Sequence, residues 1–489
     1  QMLSTFCPTP WNAPSALPMR VARGLQRRSF RILAPAASNQ HVPPCKGRGL
    51  RFAAAAAGVA ASLTARKAKV KAEDTKQVNR DIWIGQQGCH EWLEDVLGDR
   101  ALEWVRSQNQ STTSNLGDPT ASPLYEKSLQ ILQSKDKIPY VTKYGDFFYN
   151  LWTDAEHPRG LWRRTTLESY KTDSPQWEVV IDVDALGEKE GESWVWKGHS
   201  VCREYDASGK ALPPRRTMVA LSPGGSDAVV RREFDMVEKR FIEPGEGGFV
   251  ISPAMKSRVS WINRDLLLVG ADLGEGSMTD SGYPRVVREW QRNTPLADAP
   301  VVFEGDAKDV AVTGYLSRSR GHAYEWRHRA TSFYTSRREV RKHGSDGHWT
   351  CLEEKGLPDG AQTSQFADRL LIQPRENWEF AGQSFLAGSL ISVGLDDFCS
   401  SSSTAEMQVL FQPSQRTSLS NFSDTKNYLI LEVMDTVKNR LQFWRWANGS
   451  FQDEGTEPSA QIRGTSVMPL DDEDSDDYFL VTSTFTKPR

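Results

Sequence analysis

Long apolar runs are missing from this 489-residue chain. The stretch FAAAAAGVAASL (Phe52–Leu63) is apolar for only 12 residues, too short to span a bilayer. Cysteine is scarce as well. The six are Cys7, Cys45, Cys89, Cys202, Cys351 and Cys399, and no two form a CxxC pair. That spacing excludes a disulfide-stapled scaffold and a zinc ribbon, and it points to free, mostly buried thiols in a reducing compartment. There is no HExxH, no P-loop and no GxGxxG. Acidic residues are absent from the first 72 positions, which carry a local charge of +12, whereas the remainder carries −15. The acidic body has no basic footprint for nucleic acid.

What is present divides into three regions. Residues 1–76 are basic and rich in Ala, Ser, Pro and Arg, the profile of an organelle transit peptide. They are expected to be disordered and to direct import into a plastid or mitochondrion; the alternative is an unprocessed tail on a cytoplasmic protein. The first residue is Gln rather than Met, so an incomplete N-terminus is expected too. Residues 77–137 read as short helices. Asp99 is placed to cap RALEWVRSQNQ (Arg100–Gln110), where Ala101, Trp104 and Val105 share one face. Ser122 and Pro123 open a second helix, with Tyr125, Leu129 and Leu132 on its apolar side. Helices this short need an apolar partner surface.

From residue 138 onward the period changes to two. In WEVVIDVDAL, alternation places Val179, Ile181 and Val183 on one face, with Glu178, Asp182 and Asp184 on the other. Turn signals recur to the end, and no long helix is expected after residue 137. About 350 residues of strand exceed one sandwich. Clusters of strands begin near 138, 192, 249, 308, 363, 416 and 459, at intervals somewhat longer than the ~40–50 residues of familiar propeller blades. The expected fold is mainly β: a seven-bladed β-propeller over 138–489 whose last blade is incomplete. The final strand, DDYFLVTSTF, is expected to need partners beyond those the chain supplies.

No catalytic, cofactor-binding or metal-binding residue is assigned. A hydrolase nucleophile needs glycine on both sides of its turn, G-x-S-x-G. Gly198-His199-Ser200, Gly382-Gln383-Ser384 and Gly464-Thr465-Ser466 each lack the second glycine. DDEDSDD (Asp471–Asp477) alternates carboxylates at Asp472, Asp474 and Asp476 like a calcium loop. However, Asp477 and Ser483 stand where Gly and a bidentate Glu are required, so it reads as a solvated acidic turn. His343, His348 and Cys351 offer three ligands where structural zinc needs four. The basic run RREVRKH (Arg337–His343) reads as a water-facing strand edge.

Four stretches carry a family resemblance. HEWLEDVLGDRALEWVRSQN (His90–Asn109) resembles the N-terminal segment of the prolyl oligopeptidase family of serine peptidases, although Gly88, Cys89 and His90 replace its usual Asp-Pro-Tyr. KIPYVTKYGDFFYNLWTDAEHPRGLWRRTTLESY (Lys137–Tyr170) resembles the family's first blade. GADLGEGSMTDSGYPRVVREWQRNTPL (Gly270–Leu296) is the most family-specific stretch, and DDYFLVTSTFTKP resembles the opening of its final blade. The resemblance implies that the N-terminal helices pack on an α/β-hydrolase domain that carries the Ser, Asp and His and follows the propeller. It also implies that the propeller admits only short peptides, cleaved after proline. The chain ends before such a domain, so a fragment without catalytic residues, monomeric and inactive alone, is expected. The alternative is a stand-alone propeller that binds a peptide or protein partner.

Overall fold

The computed structural model describes residues 20–22, 90–95, 97–400, 405–457 and 464–483. The rest of the expected leader, 1–76, lies outside the described residues. So do Cys7, Cys45 and Cys89, while Cys202, Cys351 and Cys399 are free thiols. Among the described residues no helix is long and apolar enough to cross a membrane.

The chain divides into two compact units. The smaller holds helix α1 (Asp99–Leu116) and most of α2 (Pro123–Leu132). Asp99 does not cap α1 as expected. Gly98 takes that position, and Asp99 sits inside the first turn, where a carboxylate complements the helix dipole. The helix also runs six residues past Gln110. Thr112, Thr113 and Ser114 turn their hydroxyls back onto the carbonyls of Gln108, Asn109 and Gln110, which keeps polar residues inside the helix. Ser122 accepts from the Leu124 N–H at the start of α2. The apolar faces are open to solvent within this unit: Leu116, Leu124 and Ile131 are all more than half exposed.

The larger unit is built of small antiparallel sheets taken in chain order. Sheet A comprises Thr142–Tyr144, Phe147–Trp152, Leu161–Thr165 and Glu178–Asp182. Sheet B runs from Trp194–Val201 through Arg216–Pro223 and Val229–Asp235 to Val250–Met255. Sheet C starts at Ser257–Asn263, D at Ala311–Ser319, E at Gln362–Phe366 and F at Thr417–Asp424, each with four strands. Sheet G pairs Gly464–Pro469 with Tyr478–Ser483, whose other edge takes Arg20–Ala22. The expected cluster starts fall within about five residues of these first strands except near 249, because Val250–Met255 closes sheet B instead of opening sheet C.

One local reading fails. Val179 is exposed, while Val180 and Ile181 are buried. A β-bulge opposite Trp162 and Arg163 leaves Val180 as an extra residue, so the alternation slips by one. Val183 is fully buried at the start of a helix, Val183–Glu190, whose first turn is capped by the Asp182 carboxylate on the Ala185 N–H.

Each sheet packs face to face on the next. Tyr149, Trp162 and Val180 of A meet Val219, Leu221 and Phe234 of B. Met218 and Ile251 of B meet Trp261, Leu267 and Val269 of C. Similar apolar layers join D to E and E to F. Sheet G has two neighbours: Val467 packs with Ile430 and Leu441 of F, and Phe479 packs with Phe148 of A. Between C and D the strands approach closely at Gly314, where an added methyl would stand 3.2 Å from Leu268 and Val287.

Polar ties complete these junctions. Glu233 of sheet B is fully buried, and its two oxygens accept from Arg292 of sheet C at 2.7 and 3.0 Å and from the Phe249 N–H at 2.9 Å. Removing Glu233 leaves Arg292 paired with the half-exposed Asp265 at 2.8 Å and takes the acceptor from the buried Phe249 N–H. Glu233→Ala is therefore expected to lower the unfolding free energy by about 3–5 kcal/mol. Urea unfolding followed by circular dichroism measures this. A loss below about 1 kcal/mol would mean that the pair is not what secures the B–C junction.

Candidate functional site

The first strands of B and C, of C and D, of D and E, and of F and G lie against one another. Each is followed by a connection to its second strand, and five of these connections converge. The acidic segment 471–477, between the strands of sheet G, is their hub. Asp471 folds its own turn by accepting from the Glu473 and Asp474 N–H groups, both at 3.0 Å. Its other oxygen meets Lys143 of sheet A at 2.8 Å. Glu473 accepts from the Tyr205 hydroxyl at 3.0 Å, and Arg203 lies 3.5 Å from Asp472 and 3.7 Å from Glu473. Asp476 accepts from Thr425 and from the backbone and side chain of Asn427 at 2.7–2.9 Å.

Sheet D joins from across the cluster. Arg320 and Gly321 both have positive φ, +50° and +82°, as a tight mirror-image hairpin turn requires. Arg320 crosses the Phe366 ring of sheet E at 3.7 Å and donates to Asp424 of sheet F at 2.9 Å and to the Lys426 carbonyl at 3.0 Å. Arg318 lies 5.4 Å from the centre of the Tyr205 ring. The contacts therefore tie A and B to G, G to F, F to D and D to B, including pairs of sheets that are not neighbours in sequence.

Burial sets the electrostatics of this cluster. It raises the Glu473 carboxyl despite Tyr205 and Arg203, and it raises Asp424 despite Arg320. It pushes the Tyr205 hydroxyl up to about 12. Asp471 goes the other way: burial opposes its ionisation, but Lys143 and the two N–H groups outweigh burial and hold it below the usual carboxylate range. The arrangement is a set of paired charges that ties the ends of hairpins from several sheets together. It contains no nucleophile with a base beside it.

The expectation of a solvated acidic turn is thus corrected. The turn is partly buried, with Glu473 only 13% exposed, because its carboxylates bind four other sheets directly or through F. The nucleophile near-misses land in ordinary strands. Ser200 lies in the first strand of B, next to a bulge at Gly198, and its carbonyl accepts from Trp261 at 2.8 Å. Ser384 donates to Glu379 on the outer face of a hairpin whose Trp378, Phe380 and Phe385 are buried, and Ser466 to Glu432. The basic run is not a water-facing edge. Arg337, Arg338, Arg341 and His343 pair with Glu354, Glu353 and Glu325 at 2.6–2.7 Å in the third strand of D, and Arg338 is buried. Among the described residues no group of three or more His, Cys, Asp or Glu is placed to hold a metal. Lys143, Arg203, Tyr205 and Arg320 were missed from sequence; their one signal is a shared position at the end of a first strand.

Residues 89–325 match the family model of the prolyl oligopeptidase N-terminal β-propeller domain. An uncharacterized peptidase of Sinorhizobium fredii is 30% identical over 407 residues, which cover 81% of this chain and 53% of the relative. An uncharacterized peptidase of Rickettsia prowazekii is 25% identical over 366 residues, covering 72% and 48%. The chain thus spans about half the length of the curated relatives it matches. A solved post-proline cleaving enzyme from Rickettsia typhi shares the fold with a TM-score of 0.70 and 23% identity, over 81% of this chain and 57% of that one.

The Asp471 pairing has a pH signature. A carboxyl whose folded pKa is depressed contributes stability above its unfolded value, and that contribution is lost as pH falls through the folded value. Asp471→Asn is expected to cost about 2 kcal/mol at pH 7. The gap from the parent protein should narrow as pH drops below 3.8, the ordinary aspartate value. Urea titrations at stepwise lower pH test this; a gap that stays constant would show that the charge is not what Asp471 contributes.

Proposed function

We propose, from the match of residues 89–325 to the model of the prolyl oligopeptidase N-terminal β-propeller domain, that the chain is the gating portion of a serine peptidase that hydrolyses short peptides after proline. In this reading the sheets are blades of a seven-membered ring with a short last blade. An α/β-hydrolase domain supplies the nucleophile and packs against the exposed faces of α1 and α2. The chain taken alone is then monomeric and inactive, and its basic leader directs import into a plastid or mitochondrion.

The observation that carries the reading is the ion-paired mouth. Hairpins of A, B, D, F and G are held by polar contacts of graded strength, from the half-buried Asp471–Lys143 pair to the more exposed and weaker Arg203 pairs. A closure of this kind yields locally to a thin, flexible chain and stays shut to a folded domain. It therefore supports selection by size, with bond cleavage supplied elsewhere. A second reading, a non-catalytic propeller that binds a peptide or protein partner, draws on one observation. Sheet G packs on both F and A through Val467 and Phe479, so its short length does not leave it unsupported.

Activity-based labelling tests the lack of catalysis that both readings share, and partner binding separates them. The purified 489-residue chain is expected to take up no fluorophosphonate probe and to leave a fluorogenic proline peptide intact. Serine-dependent turnover by this chain would overturn the gating reading. Tight binding of a folded protein partner, with no binding of short peptides, would favour the second reading.

A further inference from the structure

Sheets A to F end on last strands that resist further pairing. In A, B, C, E and F the register shifts within the pairing of the last strand, as at a β-bulge: Glu178–Asp182, Val250–Met255, Val301–Glu304, Met407–Phe411 and Ser450–Glu457. In D the last strand, Thr350–Cys351, is two residues long. Bulges and very short strands are the devices by which an edge avoids recruiting another chain.

Sheet G lacks both devices. Tyr478–Ser483 pairs with Gly464–Pro469 over six consecutive residues with no shift. Its sequence, YFLVTS, is aromatic or β-branched except at Leu480 and Ser483, and it holds no charge and no proline. A regular, uncharged strand of this composition is a template for a further strand. Its backbone groups alternate in direction, so half of them face away from Gly464–Pro469.

That second side is taken from the opposite end of the chain. Arg20–Ala22 lies along it antiparallel, with Arg20 opposite Leu480, Val21 opposite Phe479 and Ala22 opposite Tyr478. The segment belongs to the larger unit, with the sheets. It comes from the acid-free first 72 residues, which carry +12, whereas the remainder carries −15. Opposite net charges draw the two together over distances beyond contact. A pairing of three residues supplies only a few hydrogen bonds, each worth about 1 kcal/mol net, so the strand is held reversibly.

We propose that the outer edge of Tyr478–Ser483 is a strand-accepting site, and that the chain's own basic leader, through Arg20–Ala22, fills it in cis. The leader thereby shields this edge from pairing with a second copy of the chain. This role is separate from import and from peptide hydrolysis.

Hydrogen–deuterium exchange of the full chain at pH 7 tests it. Alternate N–H groups of a strand face the same neighbour, so Val21→Pro removes one set of leader donors and the double variant Arg20→Pro/Ala22→Pro removes the other. In at least one of the two, amides of Tyr478–Ser483 are expected to exchange about fivefold or more faster than in the parent. Amides of the Val467 and Ile430 strands should keep the parent's rate, which shows that the variant is folded. The variant with the opened edge is also expected to self-associate in sedimentation velocity at concentrations where the parent does not. Unchanged exchange in both variants overturns the strand-accepting site. Slow exchange in the parent that is lost on dilution assigns the strand to a second copy and overturns the cis pairing. Faster exchange without added self-association overturns the shielding role.

Discussion

Every sheet of the larger unit is too small to stand alone, and the fold depends on one constraint: each must bury both faces against neighbours. Four short strands expose more backbone and apolar surface than they enclose. The requirement explains why aromatic residues are so frequent. Trp162 and Phe234 fill A–B, Phe249 and Trp290 fill B–C, and Phe366, Trp446 and Phe451 fill E–F. Flat rings span the gap between two pleated surfaces at low entropic cost. The same requirement explains sheet G. Its two hairpin strands carry Val467 toward F and Phe479 toward A, so even the shortest sheet is covered on both sides.

Buried polar groups then fix which sheet meets which. Glu233 answers Arg292 and the Phe249 N–H across B–C. Glu432 of F, 4% exposed and raised by its burial, accepts from the Val467 N–H of G at 2.7 Å. Arg338 of D donates to Glu353 and to the Ala361 carbonyl just before E. Apolar layers alone tolerate slippage along a strand, whereas a carboxylate aimed at one N–H does not.

Much of this was legible in the sequence. The turn residues and apolar alternation locate most sheet starts within a few residues, because hairpin punctuation is local chemistry. The failures have physical causes. The bulge at Val180 adds a residue that alternation cannot foresee. Val250–Met255, the last strand of sheet B, is separated by one residue from Ser257 of C, so the sheet it joins is decided by packing rather than by a turn. The acidic segment 471–477 looked solvated because its partners, Lys143 and Arg203 to Tyr205, lie more than 260 residues away. The basic run Arg337–His343 looked free because Glu325 and Glu353 reach it across neighbouring strands. Charge pairing over such separations is invisible until the sheets are assembled.

The two kinds of contact also decide where such a structure can open. Separating sheet G from sheet A would expose Phe148, Phe479 and their neighbours, at roughly 2 kcal/mol for each large apolar side chain. It would also strip the Phe148–Tyr170–Phe479 aromatic contacts. At the hairpin ends, Arg203 is about half exposed and Asp472 about a third. Water replaces much of what is lost when such a pair separates, and the pairs can break in succession. Local opening at the hairpin ends is therefore the less costly motion, and the sheet junctions stay packed while it happens. The hairpin ends, joined by charges, are thus free to move on a frame of apolar seams that stays closed.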